Sequence, residues 1–209
     1  MKCEPYYFRP QGVTKLQFTH EDLSPIKAEI DSIMNNKAAA LPANDDLAGH
    51  IDEEYELLSS RIHISNLISP AIDHYVSTFG FPEYNNNVLT NSRPYHMEKT
   101  WVNIQKKNEF NPYHFHGGIF SFVIWLEVPY TREEEEKMFP KKTKDKVNGC
   151  FQFMYNNALG YPKLETIFTD KTVEGTGLLF PSMLYHSVYP FYSSDKYRVS
   201  VSGNFKFMV

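Results

Sequence analysis

The chain has 209 residues, 42% of them hydrophobic, a formal net charge of -4 and only two cysteines. This length supports one well-buried core, so we expect a single domain over residues 1–209. Lysine and arginine are scattered and form no basic stripe, which argues against nucleic acid as a direct partner. Cys3 and Cys150 lack C-x-x-C spacing, which fits free thiols in a reducing compartment.

Neither a secretion signal nor a membrane span is predicted. The N-terminus lacks a basic-then-apolar pattern, and the longest apolar run, near Ile119 to Val128, is too short to cross a bilayer. We therefore expect a cytoplasmic protein with no membrane partner.

Residues 1–98 carry helix signals and are expected to form a helical support for the rest of the chain. A strand is predicted over 13–18. A helix follows, with Ser24 as its cap and Pro25 in its first turn, and it ends near Asn35. Its apolar residues recur at helical spacing, so one face should pack on a sheet.

Two further amphipathic helices are predicted in this support region. They cover residues 48–58, which include an acidic cluster, and residues 66–78, which Ser65 precedes. Gly80 should end the second of them.

From residue 99 to residue 209 the pattern changes to short β-branched and aromatic runs between turn signals, which is typical of an all-β sandwich or barrel. The predicted strands are 99–106, 119–128, 150–155, 164–169, 176–180, 184–189 and 197–207. The run from Phe120 to Leu126 is apolar on both faces, as in a central strand covered on both sides. Asn103 and Gln105 share one face of their strand and either meet water or line a cavity.

Residues 131–147 hold a run of glutamates followed by lysines. Such a run predicts a solvated loop or an exposed helix, and a mobile cover over the site is the alternative.

Three histidines form the arrangement that chemistry explains better than packing does. On a strand, His114 and His116 would point to one face as a chelating pair, while Phe115 would be buried on the other. His186 lies in an apolar segment, where its ring needs a partner. Three imidazoles on one iron would leave positions open for substrate or oxygen, which indicates a mononuclear iron enzyme.

Arg198 and Ser200 lie on one face of the last predicted strand, with valines on the other. This face is either exposed or turned into a polar cavity. In a cavity, the guanidinium can hold a carboxylate through two hydrogen bonds and the hydroxyl can add a third.

The chain resembles the iron(II)- and 2-oxoglutarate-dependent oxygenases over about residues 99 to 207, and more narrowly the oxygenases of tailed phages of marine bacteria. The segments that carry the resemblance are residues 101–105, 111–118, 121–125 and 180–204. Residues 47–51, with Glu54 and Tyr55, are similar to the N-terminal part of those proteins. If the chain is viral, its compartment would be the host cytoplasm.

The resemblance implies a mainly β fold, a double-stranded β-helix or jelly roll packed against the N-terminal helices. It implies iron(II) and 2-oxoglutarate as cofactors, and hydroxylation of a C–H bond of a small-molecule or peptidyl substrate by molecular oxygen, with release of succinate and CO2. The implied metal ligands are His114, His116 and His186; the implied cosubstrate or substrate residues are Arg198, Ser200, Asn103 and Gln105.

One departure is that His116 stands where most relatives have aspartate or glutamate. A third neutral imidazole leaves the site one negative charge short. Either all three histidines bind, or only His116 and His186 do, with Gly118 in the place of a carboxylate. The alternatives are a three-histidine dioxygenase of cupin type that needs no 2-oxoglutarate, and a non-catalytic metal-binding jelly-roll module. The sequence carries no signal for the substrate or the oligomeric state.

Overall fold

In the computed structural model, two antiparallel β-sheets face each other, and two long helices pack with the larger sheet. The structure describes residues 3–5, 12–44, 47, 49–82, 95–139 and 146–207. Within these ranges, neither long helix combines the length and apolar character needed to span a bilayer.

The elements in chain order are β1 (Thr14–Gln17), α1 (His20–Asn35), β2 (Glu54–Glu56), α2 (Arg61–Phe79), β3 (Tyr95–Gln105), β4 (Asn111–His114), β5 (Phe120–Glu127), α3 (Arg132–Lys137), β6 (Phe151–Asn156), β7 (Pro162–Ile167), β8 (Thr176–Pro181), β9 (Tyr185–Val188) and β10 (Arg198–Phe207). The larger sheet has the order β1-β8-β5-β10-β3-β2 and the smaller one β4-β9-β6-β7. This is the predicted jelly roll with a helical N-terminal part.

Strand β5 separates two hydrophobic clusters, because successive side chains of a strand point to opposite faces. Phe122 and Ile124 pack with the helices on the outer face of the larger sheet, whereas Val123 and Trp125 pack between the sheets. The prediction of a central strand covered on both faces is confirmed. All seven strands predicted after residue 99 are present, and β4 joins them.

Helix α1 begins earlier than predicted. Its N-cap is Thr19, whose side chain accepts from the backbone of Asp22 while the Asp22 carboxylate accepts from the backbone of Thr19. This capping box supplies two partners for free backbone groups at the helix start. Ser24 is therefore not the cap, and Pro25 lies inside the helix.

The prediction of a helix over 48–58 is wrong for the part of this segment that the structure describes. Residues 54–56 form β2 instead, because Glu54 and Glu56 alternate with Tyr55 in the period of a strand. Helix α2 starts at Arg61, before the predicted 66–78, and continues through Pro70. The predicted end is confirmed, because Gly80 caps it with a positive φ of 83°.

The charged segment at residues 131–147 is less solvated than predicted in the part that the structure describes. Glu135 in α3 is fully buried. Its carboxylate accepts from the backbone N–H groups of Tyr192 and Ser193, at 2.9 and 2.7 Å, and from the side-chain amide of Asn148 at 2.9 Å. Residues 140–145 lie outside the described residues.

Candidate functional site

Three imidazoles meet at one end of the space between the sheets. His114 ends β4 and pairs directly with His186 of β9. His116 lies two residues beyond β4, where its backbone N–H donates to the carbonyl of Ser182 at 2.9 Å. The candidate ligand nitrogens of the three rings all lie within 4.8 Å of one another. The residues predicted as a metal cluster are therefore brought together.

The route to this cluster differs from the predicted one. Strand β4 ends at His114, so His114 and His116 do not share a strand face. Phe115 is not buried, because 47% of its surface is exposed and its ring packs on Tyr185 with centroids 5.0 Å apart. The bond from His116 to Ser182, rather than strand alternation, turns His116 toward the other two rings.

All three imidazoles are held neutral. Burial lowers the pKa of His114, and burial with the neighbouring His114 lowers that of His116 to about 4. Burial, followed by the two other histidines, holds the pKa of His186 well below its ordinary value. Neutral imidazoles keep the lone pair that a metal ion requires.

Two of the rings also have a defined tautomer. Nδ1 of His114 lies 2.8 Å from the carbonyl of Pro112, and Nδ1 of His186 lies 2.9 Å from that of Leu184. A carbonyl only accepts, so in both rings Nδ1 carries the hydrogen and Nε2 has the free lone pair that can bind a metal. Two nitrogens that each lie about 2 Å from one metal are at most about 4 Å apart, so the rings would close slightly on binding from separations of up to 4.8 Å. The donor set of three imidazoles fits a divalent transition metal.

Arg198, at the start of β10, lines the same cavity as the three histidines and is 3% exposed. Nε and Nη2 both donate to Oε1 of Gln105, at 3.0 and 2.6 Å. Nη1 donates to the Tyr130 hydroxyl at 2.6 Å and the carbonyl of Gly149 at 2.7 Å, and Nη2 to the carbonyl of Tyr189 at 3.1 Å. The guanidinium is fixed in place by neutral groups.

No carboxylate is among the described hydrogen-bond partners of Arg198. A buried guanidinium without a counter-ion is unusual, because buried charges are normally paired. A dianion that binds in this cavity would supply the missing charge. The Tyr130 hydroxyl donates to the carbonyl of Gly149 at 3.1 Å, and all five N–H groups of Arg198 have acceptors. A carboxylate would therefore replace one or more of these bonds to neutral acceptors. The site therefore also fits a dicarboxylate such as 2-oxoglutarate.

The side-chain amides of Asn103 and Gln105, two other predicted site residues, already form hydrogen bonds within the protein. Asn103 donates to both the carbonyl and the hydroxyl of Ser200 at 3.3 Å, and it accepts from the indole of Trp101 at 3.1 Å. Gln105 is committed to Arg198 through its oxygen and to the carbonyl of Glu109 through its nitrogen. Asn103, Gln105 and Ser200 all line the cavity, which is one of the two alternatives that the sequence leaves open for their strand faces.

Sequence reasoning missed several lining or supporting residues: Glu54, Trp101, Tyr130, Phe151 and Phe180. The acidic cluster around Glu54 predicts an amphipathic helix, although the alternation of acidic and apolar residues from 54 to 57 has the period of a strand. Tyr130 shows no signal in the sequence, because its bond to Arg198 joins residues 68 positions apart.

The comparisons with known proteins agree with this geometry. Residues 99–204, half of the chain, match the family described as "Putative 2OG-Fe(II) oxygenase". The fold resembles an oxidoreductase of the 2OG-Fe(II) oxygenase family from Burkholderia pseudomallei, with 14% identity, a TM-score of 0.53, and coverage of 93% of this chain and 84% of that one. No curated protein sequence matches the chain at a significant level.

Two prolyl hydroxylases are similar in structure as well. The prolyl-4-hydroxylase of Pseudomonas putida has 15% identity and a TM-score of 0.52, covering 95% of this chain and 94% of that one. The prolyl hydroxylase of Trichoplax adhaerens, solved with a peptide of hypoxia inducible factor, has 13% identity and a TM-score of 0.53, covering 94% and 83%. At such identities the likeness shows the fold alone, whereas the family match assigns the chain. The chain belongs to the 2OG-Fe(II) oxygenase family, and it is an oxidoreductase that uses iron(II) and 2-oxoglutarate.

Proposed function

We propose that the enzyme hydroxylates a C–H bond of its substrate: substrate, 2-oxoglutarate and O2 give hydroxylated substrate, succinate and CO2. Bound iron and 2-oxoglutarate supply the activation of oxygen. The observation that carries this proposal is one cavity lined by three imidazoles and by a buried guanidinium that has no carboxylate partner among the residues that the structure describes.

His114, His116 and His186 are the proposed iron ligands. The tautomers of His114 and His186 support this role, because backbone carbonyls hold both Nδ1 hydrogens and leave Nε2 free. The proximity of all three rings favours three-histidine ligation over ligation by His116 and His186 alone.

Arg198, with Ser200, is the proposed partner of the distal carboxylate of 2-oxoglutarate. Gln105 acts as a positioning residue, because it fixes the guanidinium through two hydrogen bonds to one oxygen. Asn103 orients the Ser200 hydroxyl. This pre-formed arrangement limits the entropy lost when the cosubstrate binds.

Aromatic rings cover the imidazole of His186. Phe151 stacks on His186, with centroids 5.5 Å apart and planes 15° apart, and the Phe180 ring lies 5.0 Å from the same imidazole. Excluding water protects reactive species and strengthens the electrostatic interactions of the site.

The test is formation of succinate from 2-oxoglutarate by the ferrous protein in air, first without substrate and then with candidate substrates. We expect succinate from the wild type and none above background from His186→Ala. The control is His20→Ala, an exposed histidine outside the cluster, which should keep wild-type turnover. No succinate from the correctly folded wild type would overturn the proposal and favour the cupin-type chemistry that needs no cosubstrate.

Three narrower statements belong to the same proposal. The substrate is a small molecule or a peptidyl residue, and the peptide-bound hydroxylase among the similar structures supports the second class. The segments that resemble oxygenases of tailed phages support a relationship to them, with action in the cytoplasm of the host. The chain works as a single domain, with residues 1–98 as support and 99–209 as catalytic core.

A further inference from the structure

Glu54 is a buried acidic residue that the proposed function does not use. It begins β2 and pairs directly with Asn103 of β3, which in turn pairs with Ser200 of β10. Directly paired residues of antiparallel strands point to the same face of the sheet. Glu54 therefore lies in one row with Asn103 and Ser200, and its side chain lines the cavity while only 3% of its surface is exposed.

The carboxylate of Glu54 is poorly satisfied within the protein. Oε2 accepts one long hydrogen bond, 3.3 Å, from the Asn44 amide, which makes a shorter bond of 2.8 Å to the carbonyl of Ile51. Oε1 has no hydrogen-bond partner among the described residues. A buried carboxylate oxygen without a donor carries a large desolvation cost unless a ligand supplies one.

The neighbouring acidic residues make a clear contrast. Glu53 forms an ion pair with Lys37 and another with Lys106, and Glu56 pairs with Arg61 and with Lys99. In the described ranges no such ion pair includes Glu54, the one of the three that lines the cavity. Burial and the nearby Glu109 raise the pKa of Glu54 to about 7, against an opposing effect of Lys99.

We infer that Glu54 binds a positively charged nitrogen of the substrate, an ammonium or guanidinium group. A neutral N–H donor would leave the carboxylate charge buried and unpaired, whereas a cation both donates and neutralises it. The group is not the metal, because the cluster of candidate ligands contains only the three histidines among the described residues. It is not 2-oxoglutarate, because two carboxylates would repel a third.

The place of Glu54 suits a substrate site. On β3, Asn103 lies two residues from Gln105, which holds Arg198, and two residues from Trp101, whose ring lies 5.8 Å from that of His116. Two residues of a strand span about 7 Å. Glu54, beside Asn103 on the edge strand, therefore flanks the path between the proposed cosubstrate end and the imidazoles. This assignment rests on the proposed function for taking the cavity as the reaction site.

The test uses probe pairs that differ in charge but hardly in shape: N-acetyl-arginine amide against N-acetyl-citrulline amide, and a capped pentapeptide with a central arginine against the same peptide with citrulline. Binding to the metal-free full chain is measured by titration calorimetry at pH 8, where Glu54 is ionised. We expect the cationic member to bind at least about tenfold more tightly in one or both pairs. The amide pair reports on a free small molecule and the peptide pair on a peptidyl substrate.

The control variants separate Glu54 from general charge effects. Glu54→Gln should abolish the preference for the cation, whereas Glu53→Gln, which removes the same charge one residue away, should retain it. Isotope-edited infrared difference spectra of the wild type at pH 7 give a second readout. The cationic probe should remove a protonated carboxyl band that Glu54→Gln lacks.

The inference is overturned if, in both pairs, the two members bind equally tightly. It is also overturned if no probe binds detectably up to millimolar concentration. A preference for the cation that survives Glu54→Gln overturns it too. Because no iron, 2-oxoglutarate or turnover is involved, these failures are distinct from a failure to form succinate, which concerns the proposed function alone.

Discussion

Arg198 and Gln105, 93 residues apart in the chain, are joined by two hydrogen bonds to a single oxygen: Nε and Nη2 of the guanidinium both donate to Oε1 of the amide. A neutral acceptor fixes the direction of the guanidinium without cancelling its charge. A carboxylate at the same place would fix it equally well and cancel the charge.

Gln105→Glu is therefore expected to weaken 2-oxoglutarate binding about 10- to 150-fold, which corresponds to the range of about 1.5–3 kcal/mol for hydrogen bonds to charged groups. The melting temperature should stay the same or rise, because the buried cation gains a partner. Titration calorimetry with 2-oxoglutarate and a melting curve check both results. Gln17→Glu on β1, an exposed position, is the control. Unchanged affinity in Gln105→Glu would show that the charge of Arg198 does not bind the cosubstrate.

His116→Asp introduces a carboxylate into the three-histidine cluster. In the metal-free protein the variant should melt at a lower temperature, since it buries an unpaired charge beside two imidazoles. Iron(II) should then bind at least about tenfold more tightly than in the wild type, because the carboxylate neutralises part of its charge. Anaerobic melting curves with and without iron(II) measure the gain. In His116→Asn, whose side chain is neutral, iron(II) should raise the melting temperature by less than it does in the wild type.

Equal iron-induced shifts in His116→Asp and His116→Asn would mean that residue 116 does not contact the metal. His114 and His186 would then have to hold the metal with a group outside the three-histidine cluster.

Glu54→Gln should raise stability at alkaline pH. The folded pKa of Glu54, about 7, lies above the ordinary value of 4.5, so the fold favours the protonated form. The cost of burying the ionised form is absent below pH 4.5, grows between pH 4.5 and 7, and is complete above 7. We expect a gain of about 1–3 kcal/mol in unfolding free energy at pH 8 and a much smaller gain at pH 4.5.

Urea unfolding at the two pH values measures these gains. Glu53→Gln is the matched control, and it should change the unfolding free energy in the opposite direction. Burial alone would raise the pKa of Glu53, but its bonds to Lys37 and Lys106 outweigh this and lower it. This variant should lose stability at pH 8. A destabilised Glu54→Gln at pH 8 would contradict the description of Glu54 as an unsatisfied buried carboxylate.

Glu135→Ala should cost about 2–4 kcal/mol of unfolding free energy. The change removes the acceptor for the backbone N–H groups of Tyr192 and Ser193, which are half-buried, and it empties the fully buried site of the Glu135 side chain. Glu133→Ala, at an exposed position of the same helix, should change stability by less than about 0.5 kcal/mol. Chemical unfolding measures both, and similar losses would support the fully solvated segment that the sequence predicts.

The strands could be predicted because they depend on local pattern. The histidine cluster depends on it only in part, because His186 is remote in sequence from the other two. β-Branched and aromatic runs mark strands wherever one side of a sheet is buried, and His114 and His116 are close in sequence. The start of α1 was mispredicted because Ser24 and Pro25 resemble a helix start, whereas the reciprocal bonds of Thr19 and Asp22 decide it.

The errors at Glu54 and Glu135 have another cause. Both lie in charged segments that the sequence predicts to be exposed or amphipathic. The charge of a residue is visible in the sequence, but the distant groups that bury its side chain are not. Glu135 finds its donors 57 and 58 residues away, and Glu54 is buried by pairing with Asn103. Tertiary contacts of this range are not visible in local patterns.

The most direct test of the central claim is an anaerobic absorption spectrum of the protein with ferrous iron, before and after addition of 2-oxoglutarate. If the three imidazoles hold iron in the cavity that Arg198 also lines, a metal-to-ligand charge-transfer band should appear when 2-oxoglutarate is added. His186→Ala should abolish the band, and Arg198→Lys should shift its appearance to higher 2-oxoglutarate concentration. A folded wild-type protein that shows no band at saturating iron and 2-oxoglutarate would contradict the account.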